Sequence, residues 1–341
     1  MVAYTGIQGQ NILIVDTDPA NPVEGQIWYN STSNTLKGYA NVVINASWAS
    51  GGNYPFGGSG MGAAGIQTAA VSFAGYNSPA DTRVATTNEY DGTSWTAGGN
   101  MATQRDGLGG IGTQTAALGF GGYFEPPPTL YTNTEKYNGT SWTATGGLAT
   151  SRTQLMGAGT QTAGLAFGGS RPAGFPSPVG YTNTELFNGT SWTANPTGLP
   201  TARRTGASAG TQTDALCFGG AQYPTPVTNI ATTDSFNGST WTSGGNLNTA
   251  RQGLKGAGAS STAAAAFGGS SPTYTTATEV YNGTTWTNST PMLSSKGGGA
   301  GTGTQAAALA IAGYTGTAYG NATEEFTGPS QSVQTRTITT S

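Results

Sequence analysis

Short apolar runs recur along the chain, each closed by a small-residue doublet: AVSFAG (70–75), AALGFGG (116–122), AGLAFGG (163–169), DALCFGG (214–220), AAAAFGG (263–269) and AALAIAG (307–313). Between them sits a second recurring text, NEYDGTSW (88–95), EKYNGTSW (135–142), ELFNGTSW (185–192), DSFNGSTW (234–241) and EVYNGTTW (279–286), with a degenerate copy VVINASW at 42–48. The tryptophans Trp48, Trp95, Trp142, Trp192, Trp241 and Trp286 are spaced by 47, 47, 50, 49 and 45 residues. Runs of this length, bounded by Gly and Asn and lacking any sustained helical period, predict strands throughout. Each repeat predicts four: the stretch leading into GTQT, the apolar run, the Glu-x-aromatic segment and the Trp segment. The Asn-Gly or Asp-Gly between the last two predicts a tight hairpin of type I′, whose central residues both need positive φ. Four strands at this period are the signature of a propeller blade.

The ends of the chain predict how the array closes. ATEEFTG (322–328) is a third strand with no Trp segment after it, and VVINASWA is a fourth strand with no third before it. One end therefore completes the other's sheet and removes exposed edges; the tail QSVQTRTITTS (331–341) alternates well enough to compete for that slot. The expected organisation is an N-terminal arm and hairpin over 1–41, a six-bladed propeller over 42–330 and a tail over 331–341.

A Gly-Gly doublet after an apolar strand, then Glu-x-Tyr, a turn, Trp, and an Arg before the next Gly-rich strand resembles the kelch motif. The likeness covers about residues 42–328 and implies a kelch-like all-β propeller. It departs from the usual pattern in its Thr-rich, weakly charged strands and in Gly58, where Arg is expected. Kelch-type propellers include enzymes, adaptors and structural proteins, so the resemblance implies a fold more than a function.

Composition narrows the chemistry. The chain of 341 residues has 12 Lys and Arg against 15 Asp and Glu, a net charge of −3, one cysteine and no histidine. Without histidine the commonest general base, proton shuttle and metal ligand are gone, and with it the copper ligation of kelch-type oxidases. Neither a Ser-His-Asp nor a Cys-His nor a P-loop pattern can be assembled, and a sialidase-like site would need Asp-box repeats that are missing. No catalytic residue, cofactor or metal is expected. Asp16 and Asp18 beside Pro19 are weak calcium ligands at best, and Cys217, which replaces Ala166 and Gly119 of sister repeats, reads as core filling. A weakly acidic chain gives no footprint for nucleic acid. The N-terminus lacks a signal peptide's basic and apolar regions, and no apolar run is long enough for a membrane helix.

Residues 25–39 read as a hairpin: Ile27, Trp28 and Tyr29, a polar turn from Ser31 to Asn34, and a second strand ending at Tyr39. The segment Pro22-x-x-Gly25-x-Ile27-Trp28-Tyr29-Asn30, followed by Leu36-Lys37-x-Tyr39, is similar to one that recurs in virion and tail-fibre proteins of tailed bacteriophages, particularly marine ones. Over about 25 residues, this implies a particle component assembled in the host cytoplasm, present in several copies. The strand Ile12, Leu13, Ile14 and Val15, with Trp28 and Tyr29, is then the anchoring arm to other virion proteins, by strand addition. Placement on tail, fibre or capsid stays open, as does the alternative of a free carbohydrate-binding lectin.

Two sets of residues are candidates for recognition. The connections between second and third strands vary, are stiffened by proline, and carry Tyr76, Phe124, Tyr131, Phe175, Tyr181, Tyr223 and Tyr274. Rigid aromatics on variable loops suit a host glycan or protein receptor; otherwise they cover the sheet ends. Arg105, Arg152, Arg203, Arg251 and Lys296 occupy one repeated position, and Glu135, Glu185, Asp234, Glu279 and Glu324 another, with Asn88 in the odd copy. The kelch resemblance implies channel-mouth cations. The favoured alternative is one ion pair per repeat, tying loop to strand.

Overall fold

The structure is a computed structural model that describes residues 12–172, 174–175, 178–223 and 227–338. Every regular element among them is a strand, and no helix is long and apolar enough to cross a membrane. The chain divides into two compact units, Met1–Ala46 with Pro329–Ser341, and Ser47–Gly328.

The smaller unit is one four-stranded sheet in the order Leu13–Val15, Ile27–Asn30, Thr35–Ile44 and Ser330–Thr337. The hairpin read from 25–39 is present, with Ile27 opposite Gly38 and Asn30 opposite Thr35. The C-terminal tail is a strand, but it pairs with Thr35–Ile44 and leaves the last repeat to the N-terminal Trp strand. Leu13–Val15 adds in parallel to the chain's own Ile27–Asn30. Asp18 organises this unit: it accepts hydrogen bonds from Trp28 Nε1 (2.9 Å) and Asn30 Nδ2 (2.8 Å), and pairs with Lys37 (2.6 Å). Those partners, Lys37 foremost, hold its carboxyl down to about 2.

The larger unit holds six antiparallel four-stranded sheets, numbered here in chain order. Sheet one comprises Gly62–Ile66, Ala69–Phe73, Thr87–Tyr90 and Trp95–Gly98. Sheet two comprises Gly109–Thr113, Ala116–Phe120, Thr134–Tyr137 and Trp142–Thr145. Sheet three comprises Met156–Gly159, Gly164–Phe167, Thr184–Phe187 and Trp192–Asn195. Sheet four comprises Ala207–Gly210, Ala215–Phe218, Thr233–Phe236 and Trp241–Ser243. Sheet five comprises Lys255–Ser260, Ala263–Phe267, Thr278–Tyr281 and Trp286–Ser289. Sheet six comprises Ala300–Thr304, Ala307–Tyr314, Tyr319–Thr327 and, from the other end of the chain, Ser47–Ser50. Trp48 there lies opposite Phe326.

The hairpin between third and fourth strands differs from the type I′ turn expected. Tyr137 pairs directly with Trp142, so four residues form the loop. Gly139 alone has positive φ, and the Asn138 side-chain oxygen accepts from the amides of Thr140 and Ser141. The asparagine is present to cap the turn with its side chain, not to adopt a left-handed backbone.

Two devices join each sheet to the one before it. The fourth-strand tryptophan donates its Nε1 hydrogen to a third-strand threonine of the preceding sheet: Trp142 to Thr87 (2.8 Å), and Trp192 to Thr134, Trp241 to Thr184 and Trp286 to Thr233 (each 2.9 Å). Trp48 in sheet six reaches Thr278 of sheet five, and Trp95 in sheet one reaches Thr323 of sheet six (both 3.0 Å), so the series returns on itself. The same rings pack on both sides, Trp192 against Phe187 of its own sheet and Phe120 of the preceding one, with centroids 5.0 Å apart in each case. The second device is the glutamine of the GTQT turn, which donates to two main-chain carbonyls of the preceding sheet, as Gln114 does to Ala70 and Tyr90. Gln67 does the same across the chain ends, to Ala308 and Phe326. Sheet five lacks the glutamine; there Asp214 of sheet four reaches forward to the amide of Ser261. Between the sheets lie apolar clusters such as Met156, Leu165, Phe167, Phe236 and Trp241, with Cys217 among them. Burial pushes the Cys217 thiol up to about 12, which removes it as a nucleophile.

Candidate functional site

The first strands of the six sheets face one another. Each is preceded by a residue in the left-handed region, and the amides of these six residues form a closed ring. Gly107 N–H donates to Gly60 O, Gln154 to Gly107, Thr205 to Gln154, Gly253 to Thr205, Gly298 to Gly253, and Gly60 to Gly298, at 2.6 to 3.0 Å. Gly107 has little alternative here, since a Cβ would lie 2.2 Å from Thr153 Oγ1. Thr205, at φ 52°, is β-branched and therefore strained.

This ring borders a cavity of about 350 Å³ lined by Met61, Leu108 and Leu155, by Tyr123 and Pro172, and by the charged side chains of Arg83, Asp106 and Lys255. A second space of about 200 Å³ runs between the first strands of all six sheets, and Lys255 lines both. Five sheets place Gly62, Gly109, Met156, Ala207 or Ala300 at the start of the first strand where the fifth has Lys255. The Lys255 side chain has no hydrogen bond or ion pair among the described residues, and burial lowers its ammonium to about 8.

Arg83 and Asp106 form the other charged group. Arg83 lies between the rings of Tyr76 (5.7 Å) and Tyr123 (5.3 Å) and pairs with Asp106 (3.3 Å) and Glu125 (3.7 Å). Burial nevertheless pushes the Asp106 carboxyl up to about 6, against the pull of Arg83. A carboxyl whose folded pKa lies above its unfolded value binds more protons in the folded state, so its contribution to stability falls as pH rises from about 4 to about 6. Comparing unfolding free energies of Asp106→Asn and wild type across that window should show wild type alone losing on the order of 1–3 kcal/mol; parallel profiles would refute the assignment.

The expected loop aromatics divide. Tyr76, Phe175 and Tyr274 join a row of rings: Tyr274 meets Tyr314 (5.3 Å), Tyr314 meets Tyr319 (4.8 Å), and Tyr319 meets Tyr76 (5.3 Å). Arg83 bridges Tyr76 to Tyr123, which meets Phe175 (6.1 Å). Tyr223 sits under Arg204 at 4.3 Å. Phe124 pairs with Thr129 in a short two-stranded hairpin, and its neighbour Tyr123 is the ring that lines the cavity. Tyr131 and Tyr181 are half-buried, close to Arg105 and Arg152. Tyr123, Tyr314 and Tyr319 were not among the expected loop aromatics, although they stand in or beside the same variable connections, and Lys255 carried no signal beyond breaking the small-residue pattern of its strand.

The repeated cations lie away from the cavity. Arg105, Arg152, Arg203 and Arg251 are fully buried and Lys296 nearly so. They pair with Glu135 (2.9 Å), Glu185 (3.0 Å), Asp234, Glu279 (2.9 Å) and Glu324 (3.1 Å) respectively. In four of the five, the second carboxylate oxygen accepts a loop amide, from Ala102, Ala149, Asn248 or Leu293, each at 2.7 Å. These are loop-to-strand ties, and none of the five lines either cavity described above. The odd copy replaces the whole arrangement: Tyr54 fills the apolar slot and its hydroxyl accepts from Asn88 Nδ2 (3.0 Å). Of the arm, Ile12, Leu13 and Ile14 are exposed, Ile14 at 71%, whereas Trp28 is wholly buried and serves the core of its own sheet. Val15 and Tyr29 are partly covered, Tyr29 donating to Asn34 (3.1 Å).

Among the described residues no group of three or more Cys, Asp or Glu side chains is placed to hold a metal. Compared with known proteins, the chain matches no protein-family model and no curated protein.

Proposed function

We propose that the six sheets are the blades of a closed, six-bladed kelch-like β-propeller, and that the chain is a structural recognition component of a tailed-bacteriophage particle. The cyclic series of tryptophan and main-chain hydrogen bonds supports the propeller. The observation that carries the recognition reading is the contrast between the two ends of the sheets. One end has uniform turns spent on internal bonds. The other carries variable hairpins, a row of rings and a cavity. Attachment is assigned to the smaller unit, where Leu13–Val15 stands at a sheet edge with apolar side chains exposed. The similarity of residues 22–39 to tailed-phage virion segments supplies the setting. Host-surface glycan or receptor is the expected partner of the hairpin end.

Changing Leu13 and Ile14 together to Asp should leave both units folded and abolish incorporation of a tagged copy into particles, read by immunoblot of purified virions. Undiminished incorporation would refute the anchoring role.

A further inference from the structure

The cavity inside the ring carries one cation that no side chain among the described residues pairs. Of its three charged side chains, Arg83 is matched by Asp106 and Glu125, while Lys255 is left alone between walls of Gly, Ala, Leu and Met. Keeping an ammonium in such surroundings is costly without a partner, and four of the five sister positions show that Gly or Ala would fit. We propose that this cavity is a binding site for a small organic monocarboxylate of monosaccharide size, with the Lys255 ammonium holding the carboxylate.

Three features fix the class of ligand. The amides of Gly60, Gly107, Gln154, Thr205, Gly253 and Gly298, six of the residues that line the cavity, are used in their own ring of hydrogen bonds. That ring presents no nest of N–H groups to a phosphate or sulfate, and a single unpaired ammonium suits a single negative charge. Met61, Leu108 and Leu155, with Tyr123 and Pro172, offer apolar and aromatic surface to the body of the ligand. The volume of about 350 Å³ is at the small end of organic-ligand pockets, which admits one sugar acid or a compound of like size. The site is independent of the particle reading, because it rests only on groups of the larger unit.

Calorimetric titration of the full chain with N-acetylneuraminate and with glucuronate, against glucose as the neutral control, tests the proposal. Saturable binding of at least one acid and none of glucose is expected. Lys255→Met should weaken that binding at least tenfold, and Lys255→Arg should retain most of it. Methionine already occupies the equivalent position as Met156, so the variant keeps its fold. Its thermal midpoint should equal or exceed that of wild type, since an unpaired ammonium has been removed. Absence of saturable binding by both acids, or equal binding by Lys255→Met, would overturn the proposal.

Discussion

Glu185→Ala is expected to destabilise the larger unit by about 3–5 kcal/mol, read as a lowered denaturant midpoint at unchanged slope. The mutation strands the Arg152 guanidinium, which is fully buried and meets Glu185 at 3.0 Å. Burial lowers Arg152 to about 10 even with the Glu185 carboxylate beside it; without that carboxylate the buried guanidinium either keeps an uncompensated charge or gives up its proton, and both cost stability. The Ala149 amide loses its acceptor in the same step. Sheet one supplies the control, since it uses Tyr54 and Asn88 in place of the pair and leaves Gly58 where the cation would be. Copying it as Leu148→Tyr, Arg152→Gly and Glu185→Asn should recover more than half of the loss. If the triple variant is no better than Glu185→Ala, the pair contributes more than compensation of its own charges.

That substitution pattern also shows what could be read from the sequence. The Arg and Glu columns were visible as repeats, and their joint absence from one copy already hinted that they are partners. Tyr54 was not legible, because it lies in a connection where the other copies have Met101, Leu148, Leu199, Leu247 and Met292, and only the fold brings it to Asn88. Strand content and the use of Ser47–Ser50 to complete the last sheet followed from periodicity, because side-chain alternation and the Trp spacing are local signals. The tail was ambiguous for the opposite reason: an alternating strand carries no record of which edge it meets, and Ser330–Thr337 meets Thr35–Ile44. The cavity was invisible. Its charge depends on one lysine whose neighbours come from other sheets, and its rim depends on main-chain bonds that any residue tolerating positive φ can make, as Gln154 and Thr205 do beside four glycines.

Trp48→Ala should be at least as damaging as the same change in any other sheet, by about 3–5 kcal/mol, and should differ from them in kind. An interior tryptophan such as Trp192 joins two sheets that are also joined through consecutive chain, so its loss leaves a cavity within a connected structure. Trp48 joins the first-entered strand to the last sheet. It packs on Phe326 (5.1 Å) and Phe267 (5.3 Å) and donates to Thr278 and to the Thr290 carbonyl. Without it, Ser47–Ser50 keeps only its four-residue pairing with the strand of Phe326. Local release then becomes easier than global unfolding, and the exposed third strand of sheet six becomes an unpaired edge. Hydrogen exchange should therefore show protection falling selectively over 47–50 and 323–327 in Trp48→Ala, whereas Trp192→Ala lowers protection evenly across the unit. Even loss in both variants would mean that the six sheets unfold as one cooperative body wherever they are weakened, and that the joint between the chain ends is as strong as the covalent connections elsewhere.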